Sequence, residues 1–165
     1  RAVGPERPRP QDKRVWASLE TSKDDMFAEL AEEMLKRDPQ RKRTRVCITD
    51  GDPALQNRAL AVLGADEVIV TDDDPHDEPA DVIRAEVLAG TLAVPDARVG
   101  RVREIVPREA AILAAVLAAR DEDTVLVAGR GHETVQDLAG VARPLDDRVE
   151  VRSALERRTA GERSR

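Results

Sequence analysis

Apolar positions along the chain follow two alternating spacings, which predict short strands and amphipathic helices in turn. Runs of β-branched and aliphatic residues predict strands at 45–49, 67–71, 102–106 and 124–128. Apolar residues that recur every three or four positions predict helices at 53–63, 79–90, 107–120 and 147–158. This order favours an α/β fold, a doubly wound, mostly parallel Rossmann-like sheet with helices on both faces. A hairpin is predicted around Gly140.

The first part of the chain has a different pattern. Residues 1–14 are rich in proline and arginine, which predicts a disordered arm, and a short strand is predicted at 15–19. Apolar residues at helical spacing then predict an amphipathic helix over 23–37, with Ser22 as its N-cap and Asp25 completing a capping box. Such a regular apolar stripe needs a partner surface, either in the following domain or in another protein.

These patterns divide the chain into three segments. An arm with one helix occupies 1–44, the α/β domain occupies 45–158, and a disordered tail is predicted at 159–165. Asp146 is the expected N-cap of the last helix of the domain. A length of 165 residues supports one domain with flanking arms.

The composition predicts a soluble, cytoplasmic protein. Hydrophobic residues make up 41% of the chain but aromatic residues only 1%, so the core must be built from aliphatic side chains. A net charge of −6 makes nucleic acid an unlikely partner, and no apolar run is long enough to predict a membrane span. The single cysteine, Cys47, excludes a disulfide within the chain.

Two polar stretches directly follow predicted strands. Residues 73–76 read DDPH, and residues 129–133 read GRGHE. Ligands of open α/β sheets bind where parallel strands end, and glycines allow the backbone to approach a ligand closely. We therefore expect Arg130, His132 and Glu133 to project from the rim of the sheet, close to the acidic stretch.

Residues 128–155, AGRGHETVQDLAGVARPLDDRVEVRSAL, resemble the end of the Mur ligases. The family pattern is roughly G-[KR]-G-H-E followed by D-D-R, and a second family motif, D-[DN]-P-[RN], has its counterpart at 73–76. The resemblance covers 65–155. It implies the third, C-terminal domain of the ATP-dependent ligase that adds the third residue to a UDP-linked muramoyl dipeptide during peptidoglycan precursor synthesis.

The resemblance also implies roles for individual residues. In such ligases the glutamate of the glycine motif, here Glu133, and its first glycine, here Gly129, hold the incoming amino acid. A carboxylate suits this task because it accepts charge-assisted hydrogen bonds from an ammonium group. The other substrate-binding positions are Asp73, Asp74 and His76. Supporting positions around them are Arg58, Arg130 and His132. We assign no catalytic residue, because no Ser, Cys or Asp arrangement near His132 makes it the base for a nucleophile. We assign no metal ligand, since the chain has only two histidines.

Two departures from the second motif bear on the substrate. Similar ligases that use diaminopimelate have asparagine and arginine where this chain has Asp74 and His76. A neutral imidazole lacks the fixed charge and bidentate geometry with which guanidinium binds a carboxylate. The sequence therefore favours lysine or ornithine over diaminopimelate.

The resemblance implies ATP and Mg²⁺ for a full-length enzyme. No G-x-x-x-x-G-K-[ST] phosphate loop occurs in the 165 residues, so we expect this chain alone to bind no cofactor and to be inactive. The missing N-terminal and central ligase domains would then be its partners. Residues 51–58 also depart from the family loop G-D-R-D-x-G-K-R, since Pro53 replaces an arginine and Asn57 a lysine.

Two alternatives remain open at this stage. The chain could be a non-catalytic interaction fragment whose helix at 23–37 docks a partner. Residues 15–60 also resemble, more weakly, a segment of DDE-type transposases in which a strand ends in an aspartate followed by glycine, here Asp50 and Gly51. That second resemblance would make the chain a transposase remnant fused to a ligase piece.

Overall fold

A computed structural model describes residues 22–49, 64–93, 100–130 and 133–163. Their helices are α1 (Lys23–Arg37), α2 (Ala80–Leu92), α3 (Arg108–Ala118) and α4 (Asp147–Arg163). Their strands are β1 (Arg45–Thr49), β2 (Glu67–Val70), β3 (Arg101–Glu104), β4 (Thr124–Val127), β5 (Val135–Leu138) and β6 (Val141–Pro144). Predictions outside the described residues are the arm 1–14, the strand 15–19 and the helix 53–63.

Four strands form one parallel sheet in the order β3-β2-β1-β4. The two central strands are apolar along most of their length, as strands covered on both faces must be. Val46, Ile48 and Ile69 face one side, whereas Cys47, Val68 and Val70 face the other. The structure therefore confirms the predicted α/β fold, because each sheet face carries its own helices.

One face of the sheet packs against α1 and α2, and the other packs against α3 and α4. On the first face Phe27, Met34 and Val87 contact the sheet, and on the second Ile112 and Ala154 are among the core residues. Small and aliphatic side chains let these helices lie close to the strands. The buried thiol of Cys47 belongs to the first face, and burial raises its pKa to about 12, so it is an inert core residue.

Helix α1 begins as predicted and is part of this core. The Ser22 hydroxyl accepts the Asp25 N–H at 3.1 Å and donates to the Asp25 carboxylate at 2.7 Å, which satisfies the start of the helix. Phe27 is only 2% exposed and Met34 only 7%. The chain's own sheet therefore covers the apolar stripe of α1, for which the sequence predicted a partner surface. Among the larger apolar side chains of α1, Leu35 remains exposed.

Helix α4 is longer than predicted. It continues to Arg163, so residues 159–163 are helical and the expectation of a disordered tail from 159 is wrong for them. Arg158 donates to Asp121 at 2.6 Å, which ties this end of the helix to the turn before β4. None of the helices in the described part of the chain is long and apolar enough to cross a membrane.

The hairpin predicted around Gly140 is formed by β5 and β6. These strands pair antiparallel, outside the main sheet. The two turn residues, Ala139 and Gly140, have φ angles of 53° and 78°, the positive values that a two-residue hairpin turn requires. A bridge between His76 and Leu138 attaches the hairpin to the loop that follows β2.

Candidate functional site

The acidic loop after β2 and the glycine turn after β4 lie together at one edge of the sheet. Asp73 and Asp74 belong to the first, and Arg130 and Glu133 to the second. Parallel strands end on the same side, so residues more than 50 positions apart in sequence reach hydrogen-bond distance. The predicted juxtaposition of these two stretches is therefore present. We call the residues Asp73, Asp74 and Glu133 the carboxylate cluster.

A single guanidinium group joins the three carboxylates. Nη1 of Arg130 donates to Asp73 Oδ1 and to Asp74 Oδ1, both at 2.9 Å, and lies 3.5 Å from Glu133 Oε2. Nη2 donates to the carbonyl of Val135, while Nε has no hydrogen-bond partner among the described residues. Burial opposes the charge of Arg130, but its bonds to Asp74 and Asp73 outweigh burial and raise its pKa.

This geometry corrects the expected position of Arg130. The sequence placed it on the rim beside Glu133, but its side chain is 0% exposed. It lies beneath the carboxylates as their counter-ion instead of facing solvent. The formal charge of the carboxylate cluster with Arg130 is therefore −2, where the acids alone would give −3.

The three carboxylate side chains differ in their exposure to solvent. The side chain of Glu133 is 43% exposed, that of Asp73 32% and that of Asp74 23%. Asp74 also accepts the backbone N–H of Asp137 at 2.8 Å, so it ties the acidic loop to the hairpin. Glu133 is thus the most accessible acceptor, and Asp74 acts mainly inside the structure.

Of the predicted histidine and glycine positions, the structure describes His76 and Gly129. His76 has a φ of 50° and an exposed side chain whose Nδ1 lies 3.7 Å from Asp137 Oδ2, so its ring contacts the hairpin. Gly129 has a φ of 113°, a conformation that L side chains rarely adopt, which explains the glycine at this turn. Gly131, His132 and Arg58 lie outside the described residues.

The hairpin holds the acidic loop from the other side. Gln136 is completely buried and donates from Nε2 to the carbonyl of Asp73 at 2.6 Å. Arg143 donates to Oε1 of Gln136 at 2.6 Å and pairs with Glu109 of α3 at 3.1 Å. The position of the carboxylate cluster therefore depends on contacts with the hairpin as well as on the ends of β2 and β4.

Sequence reasoning missed Arg108, the first residue of α3. Its side chain is fully buried and forms two hydrogen bonds with Asp147, from Nε at 2.8 Å and from Nη2 at 2.7 Å. Nη2 also donates to the carbonyl of Ala128 at 2.9 Å, and Nη1 to that of Asp72 at 3.4 Å. Arg108 thus fixes the ends of β2 and β4 to the start of α4. Nothing in the sequence indicated this role, because arginine at an exposed helix start is common.

Asp146 caps α4 as predicted, and its charge should affect stability at low pH. Hydrogen bonds from the Arg148 side chain, partly opposed by burial, lower the pKa of Asp146 from 3.8 to about 2. A carboxyl group with a lowered folded-state pKa stabilises the protein above its unfolded pKa, and this stabilisation is lost as the pH falls through the folded value. We therefore expect Asp146→Asn to lower the urea midpoint equally from pH 7 to 5.

That difference between the wild type and Asp146→Asn should shrink between pH 3.8 and about 2, where the wild-type carboxylate becomes protonated. Asparagine is also a good N-cap, so the comparison isolates the charge. Asp121→Asn, at an exposed ion pair, is the matched control. A constant difference across the whole pH range would contradict the assignment.

The carboxylate cluster is not a preformed metal site. One oxygen from each of the three residues lies within 4.8 Å of the others, a spacing that would admit a cation. The guanidinium of Arg130 already occupies this position and donates to two of the three. The arrangement instead leaves acceptor oxygens on its open side, where an ammonium group can bind.

Comparison with known protein families identifies a matching family model. The family model for the Mur ligase, glutamate ligase domain, matches residues 30–131, more than half of the chain. This match begins inside α1, within the segment that resembled a transposase, and no comparison supports that second resemblance.

Two similar curated proteins have the name UDP-N-acetylmuramoyl-L-alanyl-D-glutamate–2,6-diaminopimelate ligase. The protein of Streptomyces avermitilis is 48% identical over 98 residues, which is 59% of this chain and 19% of that protein. The protein of Xanthomonas oryzae pv. oryzae is 45% identical over 104 residues, which is 63% of this chain and 20% of that protein. This chain therefore spans about a fifth of the length of these relatives.

A solved structure of a ligase with the same name superposes with a TM-score of 0.62 at 29% identity. It covers 82% of this chain, which corresponds to 28% of that structure. This likeness in fold agrees with the family match over residues 30–131. The chain belongs to the Mur ligase family and contains its glutamate ligase domain.

Proposed function

We propose that this chain is the amino-acid-binding C-terminal domain, whole or partial, of an ATP-dependent ligase. That ligase would join a diamino acid to UDP-N-acetylmuramoyl-dipeptide in peptidoglycan precursor synthesis. The observation that carries the proposal is the carboxylate cluster, which the fold places at the carboxyl edge of the sheet with Glu133 open to solvent. The names of the similar proteins support the same reaction class.

Glu133 receives the ammonium group in this proposal. Its Oε2 lies 3.5 Å from Nη1 of Arg130, so the positive charge attracts the carboxylate without a short hydrogen bond. The carboxylate oxygens can therefore accept hydrogen bonds from a ligand. Its own N–H donates to the carbonyl of Arg130 at 2.9 Å and fixes the turn. The chain's contribution is then to hold and orient the incoming amine.

The charge around the carboxylate cluster bears on which diamino acid binds. The cluster with Arg130 remains at −2, and Asp137 adds a further carboxylate beside His76. Among the described residues of this edge, Arg130 is buried and its charge is already shared by the cluster. A second ammonium group is therefore favoured over a distal carboxylate, which supports lysine or ornithine, whereas the names of the similar proteins favour diaminopimelate.

The carboxylate cluster does not fit Mg²⁺. The cluster that could hold a cation contains the Arg130 guanidinium, and the printed sequence has no phosphate loop. Activation of the dipeptide carboxylate therefore belongs to the rest of a ligase, and we assign no step of it to this chain.

Glu133→Gln should weaken lysine and ornithine binding about tenfold or more, because an amide replaces the charged acceptor of the ammonium group. Isothermal titration calorimetry on the 165-residue chain measures this effect. Glu86→Gln makes the same substitution at an exposed position of α2 and should leave the affinity unchanged. Equal affinities of the wild type and Glu133→Gln would remove Glu133 from the site.

The same titrations test the choice of substrate. His76→Arg should shift the preference toward diaminopimelate by ~1–3 kcal/mol, because guanidinium supplies a partner for the distal carboxylate. Tighter binding of diaminopimelate than of lysine by the wild type would contradict the preference. That result would leave the proposal of a diamino acid ligase domain intact.

A further inference from the structure

We propose that Arg130 is a positioning residue that determines the charge specificity of the carboxylate cluster. Its buried guanidinium holds Asp73 and Asp74 in place and occupies the position of a bound cation. The cluster then presents its outer oxygens to one ammonium group and excludes a metal ion. The inference rests on the proposed function only for the identity of the ligand.

Arg130 contacts the three carboxylates in different ways. Its Nη1 donates at 2.9 Å to one oxygen of Asp73 and one of Asp74, which uses both hydrogens of that nitrogen. Glu133, at 3.5 Å, is attracted by the charge but not held by a short bond. Among the described residues, the second oxygens of Asp73 and Asp74 and both oxygens of Glu133 are therefore the available acceptors, and those of Glu133 are the most exposed.

The Arg130 side chain is held in place by a hydrogen bond to the hairpin and by burial. Its Nη2 donates to the carbonyl of Val135, the first residue of the hairpin, and the side chain has no exposed surface. The hairpin also bonds Asp74 through the N–H of Asp137. Guanidinium, hairpin and acidic loop thus form one connected unit in which the carboxylates cannot separate freely.

Removing the guanidinium has two opposite consequences that an experiment can separate. The cluster changes from −2 to −3, which by itself would attract an ammonium group more strongly. Asp73 and Asp74 also lose the group that holds them at fixed positions, and Glu133 loses the charge that attracts it. If positioning decides the affinity, lysine binding falls, and if only net charge matters, it rises.

The experiment uses the folded 165-residue chain with three variants, and circular dichroism checks each fold. Arg130→Gln should bind lysine about tenfold or more weakly than the wild type. Arg130→Lys should retain most of the affinity, because one ammonium nitrogen can still donate to both aspartates. Arg130→Gln should also gain Mn²⁺ binding, followed by paramagnetic relaxation, since the cation position is empty. Arg130→Lys and the wild type should not bind Mn²⁺.

A double variant, Arg130→Gln with Asp74→Asn, keeps the inference testable if Arg130→Gln fails to fold. It restores the charge of −2 and allows an amide pair in place of the buried ion pair. We expect it to bind lysine more weakly than the wild type, because the guanidinium that fixes the loop is still missing. Wild-type lysine affinity in this variant, stronger lysine binding by Arg130→Gln, or no Mn²⁺ binding by folded Arg130→Gln would overturn the inference.

The Mn²⁺ measurement separates this inference from the proposed function. If the wild type binds no diamino acid, the proposed function fails. A gain of Mn²⁺ binding confined to Arg130→Gln would then still support Arg130 as the counter-cation. If lysine binds the wild type and Arg130→Gln equally, the positioning role fails while the proposed function stands.

Discussion

Replacing Arg108 with methionine should lower the free energy of unfolding by about 3–5 kcal/mol. The guanidinium of Arg108 is completely buried and forms two bonds to Asp147 and two to backbone carbonyls at the strand ends. Methionine fills much of the volume but leaves the Asp147 carboxylate without its cationic partner. A buried charge without a counter-ion is costly, so the loss is larger than the net value of the ion pair. Urea denaturation followed by circular dichroism measures it.

A more exposed ion pair, on the edge strand β3, provides the control for Arg108. Arg103 pairs with Glu67 and has a side chain that is 25% exposed, so Arg103→Met should cost at most about 1 kcal/mol. The double variant Arg108→Met with Asp147→Asn should recover part of the loss, because the unpaired charge is gone. Equal losses for Arg108→Met and Arg103→Met would show that the buried pair does not hold the site edge together.

Phe27→Ala should destabilise the chain by about 3–5 kcal/mol. Phe27 is 2% exposed and belongs to the core between α1 and the sheet, with Cys47, Val68 and Val87. The substitution removes the ring and leaves a cavity that the surrounding aliphatic side chains fill only in part. Thermal and urea unfolding monitored by circular dichroism give the change in stability.

The control for Phe27 is Leu35→Ala in the same helix. Leu35 is 53% exposed, so its truncation should change the stability by no more than about 0.5 kcal/mol. Unchanged stability of Phe27→Ala would mean that α1 does not depend on the sheet. The hypothesis that this helix serves a partner protein would then regain support.

The sequence alone determined the strands and helices with strong periodicity. Runs such as 45–49 and 67–70 are rich in β-branched residues and apolar along most of their length, which is typical of strands in a sheet covered on both faces. Local chemistry also determined the cap residues Ser22 and Asp146 and the turn at Gly140, because capping and positive φ depend on neighbouring residues. These features required no knowledge of distant contacts.

The end of α4 lies where local signals are weak. The segment after 158 contains Gly161 and polar residues, which suggested fraying, but the helix continues to Arg163. The contact between Arg158 and Asp121 comes from a turn 37 positions earlier, so the sequence near the helix end could not reveal it. Tertiary contacts of this kind outweigh intrinsic preference at helix ends.

The sequence also brought the carboxylate cluster to one edge of the sheet, because strand polarity follows from the alternation of strands and helices. It could not decide that Arg130 turns inward beneath Asp73 and Asp74, nor that Arg108 joins α3 to Asp147. An arginine is normally exposed, and only the three-dimensional arrangement of carbonyls and carboxylates makes its burial favourable. Which acids remain open to a ligand was therefore decided by the tertiary structure, through the distances that set the partners of each charge.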